Sequence, residues 1–157
     1  MAFNHLPRLI LRLLRQPPRA AYALGLGPLL GRLVLLLTTT GRKSGLPRVT
    51  PLQYEELNGS YYLGSARGQS ADWFRNILAE PRVEVRVKGR RFSCLARPVT
   101  DPQQIADFLE LRLKRHPRMV GAMLKSEGLP DLHSREQLEV FASRLALVIL
   151  DPPDQAA

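Results

Sequence analysis

The chain has 157 residues, 45% of them hydrophobic and 24% charged, the size and composition of one globular domain with a real core, which excludes an intrinsically disordered chain. A single cysteine, Cys94, excludes an internal disulfide framework, and His5, His116 and His133 are scattered without zinc-ligand spacing. A reducing, cytoplasmic compartment is the simplest setting. The net charge of +9 is lopsided: residues 1–54 hold eight basic side chains (Arg8, Arg12, Arg15, Arg19, Arg32, Arg42, Lys43, Arg48) and no acidic one, whereas the remaining 103 residues hold 15 basic and 14 acidic. A positive field confined to one third of a chain favours an anionic partner: a phosphorylated cofactor, an acidic membrane surface or nucleic acid.

In chain order, Leu6, Leu9, Ile10, Leu11, Leu13 and Leu14 form an apolar stripe opposite Arg8, Arg12, Arg15 and Arg19. The arginines recur at helical spacing, which predicts an amphipathic basic helix and not a signal peptide. Two readings stand for residues 6–19: a helix lying flat on an anionic membrane surface, or one packed on its own domain or a neighbouring chain. The apolar stretch of residues 23–37 is interrupted by Gly25, Gly27, Pro28, Gly31 and Arg32, short of the ~20 uninterrupted apolar residues of a membrane span.

Leu33 to Thr40 is an apolar run that turns polar at its exit, a buried strand, and Gly41 to Gly45 is its turn. A second strand runs from Arg48 to Glu56, and Asn58-Gly59 marks a hairpin into a third, Ser60 to Ser65. Ser70 is placed to N-cap a short helix with Trp73/Ile77 and Phe74/Leu78 on one face, closed by Pro81. Val83, Val85 and Val87 alternate with charged residues, Lys88-Gly89 turns, and Arg90 to Val99 returns antiparallel. Asp101-Pro102 with Gln104 predicts a capping box and a helix to about His116. Pro117 opens another with a Met119, Val120, Met123, Leu124 stripe, ended by Gly128. Ser134 with Gln137 caps a last helix before a strand from Arg144 to Leu150. About six strands with helices inserted between some of them predict an antiparallel barrel of the α+β class.

The stretch carrying most chemistry is Thr38-Thr39-Thr40-Gly41-Arg42-Lys43-Ser44-Gly45, followed by Arg48: three cations and four hydroxyls within eleven residues. Its glycines let backbone N–H groups approach a ligand, which suits phosphate. It is not a P-loop, because the glycine-to-lysine spacing differs and Pro47 holds Leu46 extended where a P-loop starts its helix. A solvated basic hairpin is the alternative, and it leaves the clustered threonines unexplained. Cys94 falls on either face of its strand and has no cationic, helix-N-terminal setting to activate a thiolate, so it reads as an inert packing residue.

The stretch Leu37 to Leu52 (LTTTGRKSGLPRVTPL), the Gly64 to Gly68 segment (GSARG) and the Asp72 to Val85 run (DWFRNILAEPRVEV) resemble the deazaflavin-dependent nitroreductase family. The resemblance spans most of the chain from Leu33 to Pro152. It implies a split β-barrel of the FMN-binding type over residues 23–152, flanked by the basic helix of residues 1–22 and a tail of residues 153–157. It further implies binding of reduced coenzyme F-420 (an 8-hydroxy-5-deazaflavin) and hydride transfer to a small organic acceptor: a quinone, an enone, a nitro compound or a lipid-like molecule. The family's phosphate turn maps onto Arg42, Lys43, Ser44 and Gly45, flanked by Thr40, with Arg48 facing the coenzyme's acidic tail and Pro51 further along that strand. Its ring-binding segment maps onto Leu63, Gly64, Ser65, Ala66 and Arg67, and its helix beside the cofactor onto Trp73 and Asn76. Trp73 also reads as a core anchor, and Asn76 as a bond to a neighbouring backbone.

An anionic coenzyme fits the acid-free first third of the chain. The family's substrate-face tyrosines are missing from His116 to Lys125, where Met119 and Met123 stand, which favours a more apolar acceptor than a nitroimidazole. These methionines read equally as core. His116 is the candidate proton donor to the reduced product, or a helix-end histidine beside the macrodipole. FMN and haem are the alternative cofactors on the same scaffold, although the histidines do not line up as axial ligands. Nucleic acid is disfavoured by 6% aromatic content, with no aromatic among the arginines of residues 8–19. The chain is read as a monomer or homodimer.

Overall fold

The computed structural model describes residues 34–65 and 67–155. The predicted basic helix of residues 6–19 and the ring-segment residue Ala66 lie outside the described residues. Two antiparallel four-stranded sheets and four α-helices make up the described chain, a mixed α+β architecture. The first sheet has β1 (Val34–Thr40), β2 (Pro47–Gln53), β5 (Arg82–Val87) and β6 (Arg90–Leu95) in the order β2-β1-β5-β6. The second has β3 (Glu55–Leu57), β4 (Ser60–Ser65), β7 (Arg97–Val99) and β8 (Ala146–Leu150) in the order β3-β4-β8-β7.

Eight strands stand where about six are expected, because two predicted strands each break and change sheet. The Arg48 to Glu56 run is split at Tyr54 into β2 and β3, and the Arg90 to Val99 run at Ala96 into β6 and β7. The polar alternation continues through both breaks, so periodicity alone reads each as one strand. At the first break the Tyr54 ring packs edge-on against Tyr61, with centroids 5.5 Å apart. At the second the small, buried Ala96 donates its N–H to the Pro81 carbonyl at 2.8 Å. The two hairpin turns form as expected: Asn58-Gly59 and Lys88-Gly89 each place both residues at positive φ, which matches the strand twist of a two-residue connection.

The core forms two clusters on either side of the second sheet. Between the sheets lie Leu35, Leu37, Tyr61, Leu63, Val83, Val85, Val148 and Leu150, joined by Phe74 and Ile77 of α1 (Asp72–Ala79). On the outer side, Leu147 packs with Ile105, Phe108 and Leu109 of α2 (Pro102–Arg115), Val120 and Leu124 of α3 (Pro117–Ser126), and Leu138 and Phe141 of α4 (Arg135–Ala142). Every residue of β8 is buried, as its uninterrupted ALVIL requires of a strand covered on both faces. Alternation divides Tyr61 and Leu63 of β4 from Tyr62, whose ring stacks on Phe108 at 5.5 Å.

Helix ends follow the sequence in part. Ser134 and Gln137 form the expected capping box. Asp101 caps α2 through the Gln103 N–H, one residue short of the position a capping box uses, so the predicted box with Gln104 does not form. Ser70 does not cap α1: the N-cap is Ala71, and the Ser70 hydroxyl donates to the Arg67 carbonyl at 2.6 Å within the short 3-10 turn Gly68–Ser70. Leu78 is 55% exposed, because the inward face of α1 is Phe74, Asn76 and Ile77. Met119 is 47% exposed, so only Val120 and Leu124 of the predicted α3 stripe are fully buried, with Met123 packed beside them.

Phe74 has no exposed surface and is the main apolar anchor of α1. Phe74→Ala is expected to lower unfolding stability by about 3–5 kcal/mol, measured by urea denaturation; a loss below about 1 kcal/mol would show that α1 is not held by this ring.

Candidate functional site

The β1–β2 turn is shaped by its own backbone. The Gly41 N–H donates to the Leu46 carbonyl at 2.8 Å, the Gly45 N–H to the Gly41 carbonyl at 2.7 Å, and the Leu46 N–H to the Ser44 hydroxyl at 3.2 Å. Gly45 has φ +70, which favours glycine, and a Cβ on Gly41 would stand 2.7 Å from Ser44 Oγ and 3.2 Å from the Leu46 carbonyl oxygen, so a side chain there would crowd the turn. Among the described residues no hydrogen bond uses the Lys43 or Ser44 N–H. Both residues are exposed, and the tip of the turn therefore offers two backbone donors, a hydroxyl and an ammonium to a ligand.

Arg42 is used differently. Its backbone N–H donates to Asn76 Oδ1 at 3.2 Å, its Nη1 to the same oxygen at 3.0 Å, and its Nη2 to Asp72 Oδ1 at 3.0 Å. Asn76, only 4% exposed, donates its Nδ2 to Thr39 Oγ1 at 3.2 Å. Asp72 and Asn76 are one helical turn apart on α1 and so share the face that meets the basic turn. The bond from Arg42, and then its charge, hold the Asp72 carboxyl below the usual carboxylate range, with smaller help from Arg67 and Arg75.

Arg48 pairs with Thr39 across the strands, and its Nε lies 3.5 Å from where a Gly41 Cβ would be, placing it over the turn. Thr40 and Pro51, one and three positions out of phase with Thr39 and Arg48, lie on the opposite face of the sheet.

The second predicted segment follows β4 and leads into α1. Leu63 is buried in the core, and Gly64 is exposed with nothing within 4 Å of a Cβ added there. Ser65 is turned inward, its hydroxyl donating to the Gly68 carbonyl at 2.8 Å. Gly68, at φ +58, sits so close to the chain after α4 that a Cβ would meet the Arg144 carbonyl oxygen at 2.3 Å. Arg67 is exposed. Trp73 is half-buried against the core and edge-on to Phe74.

The basic turn thus meets the first turn of α1 through Arg42, Asp72 and Asn76, and Arg67 is near enough for its charge to act on Asp72. His116 does not join them. Its Nε2 is 3.4 Å from the Glu55 carboxylate, which also meets Arg115 Nη1 at 3.1 Å and Arg112 Nε at 3.6 Å. This cluster, like the Asp72 and Thr39 contacts, is absent from the sequence reading. The four-residue spacing of Asp72 and Asn76 was the available signal, but spacing does not name the partner. An open cleft of about 330 Å³, lined by Leu129, Val140, Phe141 and Arg144 among others, includes none of the turn's cations.

The described residues define a class: an α+β protein with two antiparallel sheets and an exposed basic glycine turn held against a short helix. The chain belongs to the F420H(2)-dependent quinone reductase family, whose sequence signature matches residues 19–127, in agreement with the deazaflavin resemblance. The F420H(2)-dependent quinone reductases of Mycobacterium tuberculosis strains H37Rv and CDC 1551 are each 40% identical to it over 68 residues, 41% of this chain and 46% of theirs. The match thus spans about half the length of those relatives. Among solved structures, an F420-H2 dependent reductase superposes with TM-score 0.51 at 23% identity, covering 76% of this chain and 95% of that one. The heme storage protein HutZ of Vibrio cholerae superposes with TM-score 0.50 at 17% identity, covering 77% of this chain and 82% of that one. These likenesses establish the shared fold.

Two outcomes follow from the titrating groups. Because the folded-state pKa of Asp72 is depressed, its contribution to stability is complete above the ordinary carboxylate range and is lost as pH falls through the folded value. The thermal midpoints of wild type and Asp72→Asn should differ at neutral pH and converge below about pH 4; a constant gap would mean the carboxylate charge is not what stabilises. Burial, aided by Asp151, pushes the Cys94 thiol up to about 11. It should resist alkylation at neutral pH in the folded protein, and rapid labelling there would contradict its packing role.

Proposed function

We propose that this chain transfers a hydride from the reduced deazaflavin coenzyme to an apolar organic acceptor of the quinone class, on two sheets closed as a split β-barrel. The observation that carries the reading is the family signature over residues 19–127, which contains the basic turn, the Gly64–Arg67 segment and α1. The same region supplies cations and backbone donors for the phosphodiester and carboxylates of such a coenzyme, and the Asp72 carboxylate beside the turn is paired with Arg42. When bound, the reduced deazaflavin supplies the hydride and the chain need not provide redox chemistry.

In this reading Lys43, Arg48 and the Lys43 and Ser44 N–H groups receive the phosphate and the acidic tail through charge-assisted bonds. The open backbone at Gly64 and the exposed Arg67 face the ring, where the guanidinium favours developing negative charge. Leu63, Ser65 and Trp73 act from behind, fixing the segment and the helix without touching the coenzyme through polar side-chain atoms. Thr40 and Pro51 support the turn from the opposite sheet face. His116, held by Glu55, is read as a helix-end residue, which leaves product protonation to solvent.

The test is oxidation of the reduced coenzyme followed by absorbance with a quinone acceptor, alongside titration with FMN. Wild type should turn over. Lys43→Ala and Arg48→Ala should each weaken coenzyme binding about ten- to a hundredfold, the value of one charge-assisted contact. Tight FMN binding with no measurable deazaflavin affinity would overturn the assignment.

A further inference from the structure

The basic turn has three cations, yet the structure treats them unequally. Lys43 and Arg48 are exposed. Arg42 is tied to α1 by four hydrogen bonds: two to Asn76 Oδ1, one to Asp72 Oδ1 and one from Nη1 to the Asp72 carbonyl at 3.4 Å. The Asp72 carboxylate also sits as a counter-charge on its guanidinium, at 3.0 Å. A guanidinium held this way is neutralised locally and brings little net attraction to an incoming anion. What it does bring is position, because its backbone N–H and its side chain are fixed by the same oxygen.

Asn76 is the centre of that arrangement. A buried primary amide costs free energy unless its acceptor and donors are used. Here the oxygen takes both Arg42 donors and the nitrogen reaches Thr39 Oγ1. Thr39 is 1% exposed and lies on β1, two residues before the turn begins. The amide therefore ties the exit of β1, the first residue of the turn tip and α1 to one another. With its oxygen filled twice from inside the protein and only 4% of the residue exposed, Asn76 has little left to offer a ligand.

We propose that Asn76 and Arg42 are positioning residues acting as one unit: they hold the turn so that the Lys43 and Ser44 N–H groups face the coenzyme's anionic groups, and neither is itself an anion ligand. This inference rests on the reading of the turn as the anion subsite. It departs from the family-based expectation that both residues bind the coenzyme, and it leaves Lys43 and Arg48, with Arg67 nearby, as the cations that meet charge.

Two measurements separate this proposal from the function it rests on. In the ligand-free protein, amide hydrogen exchange followed by NMR should show Arg42 protected, and Asn76→Ala should speed its exchange about tenfold or more, as expected for loss of a buried bond. The Val85 amide in β5 serves as the control for global opening. Unchanged Arg42 exchange in that variant overturns the proposal. Should Asn76→Ala fail to fold, Thr39→Val removes only the bond to Asn76 Nδ2; it should speed Arg42 exchange in the same direction by a smaller factor, and no change there is equally fatal.

The second measurement is affinity for the oxidised deazaflavin coenzyme, read through the fluorescence of Trp73, the only tryptophan. Arg42→Ala and Asn76→Ala should each weaken binding, and the double variant should bind no worse than the weaker single one, since residues in one network are not additive. Lys43→Ala combined with Asn76→Ala should multiply. Multiplying losses for Arg42 and Asn76 would mean two separate ligand contacts and would refute the shared role. A wild-type protein that does not bind the coenzyme refutes the proposed function instead, and the exchange experiment then decides the positioning role alone.

Discussion

The constraint on which the structure depends is that β8 is apolar on both faces. A strand reading Ala-Leu-Val-Ile-Leu has no side to present to water, so it needs a sheet on one face and helices on the other. The first sheet supplies one cover, with Val83, Val85 and Leu37 opposite Val148 and Leu150, and α2, α3 and α4 supply the other over Leu147. The sheet-changing breaks at Tyr54 and Ala96 follow from this layering. They let one continuous chain contribute both to the layer in front of β8 and to the sheet that contains it.

Beside these layers stands α1, packed into the core between the two sheets. Phe74 and Ile77 enter the core between the sheets while Asp72 and Asn76 face the β1–β2 turn. The helix is thus driven into place by apolar burial, and its polar residues are carried to the turn as a consequence. That division of labour fixes the turn: the energy comes from the core, and the buried Asn76 amide, with its oxygen and nitrogen both bonded, selects the geometry.

The helical layer is fastened by charge as well as by packing. Arg135 on α4 meets Glu139 on its own helix and Asp107 and Glu110 on α2, and these carboxylates raise its pKa further. Glu55 draws Arg112, Arg115 and His116 onto the start of β3. Being largely exposed, the Arg135 network adds orientation more than stability. Glu55 is only 10% exposed and is of a different kind, since a carboxylate removed from water requires cationic partners.

Much of this protein was legible in its residues. The turns at Gly41 to Gly45, Asn58-Gly59 and Lys88-Gly89, the Ser134 capping box, the apolar last strand and the grouping of Arg42, Lys43 and Arg48 all rest on local rules: backbone freedom, hydrogen-bond reach along a few residues, and hydrophobic period. The sheet changes at Tyr54 and Ala96, the inward face of α1, and the separate roles of Arg42 and Lys43 were not legible. Each depends on a partner outside the local run, from Tyr61 beside Tyr54 and the Pro81 carbonyl at Ala96 to Asn76 for Arg42, 34 residues away in the chain. Local periodicity states that a side chain has a buried face or an unsatisfied donor; which distant group meets it is decided only when the layers pack, because hydrogen bonds and close contacts act over a few ångströms of space and not along the sequence.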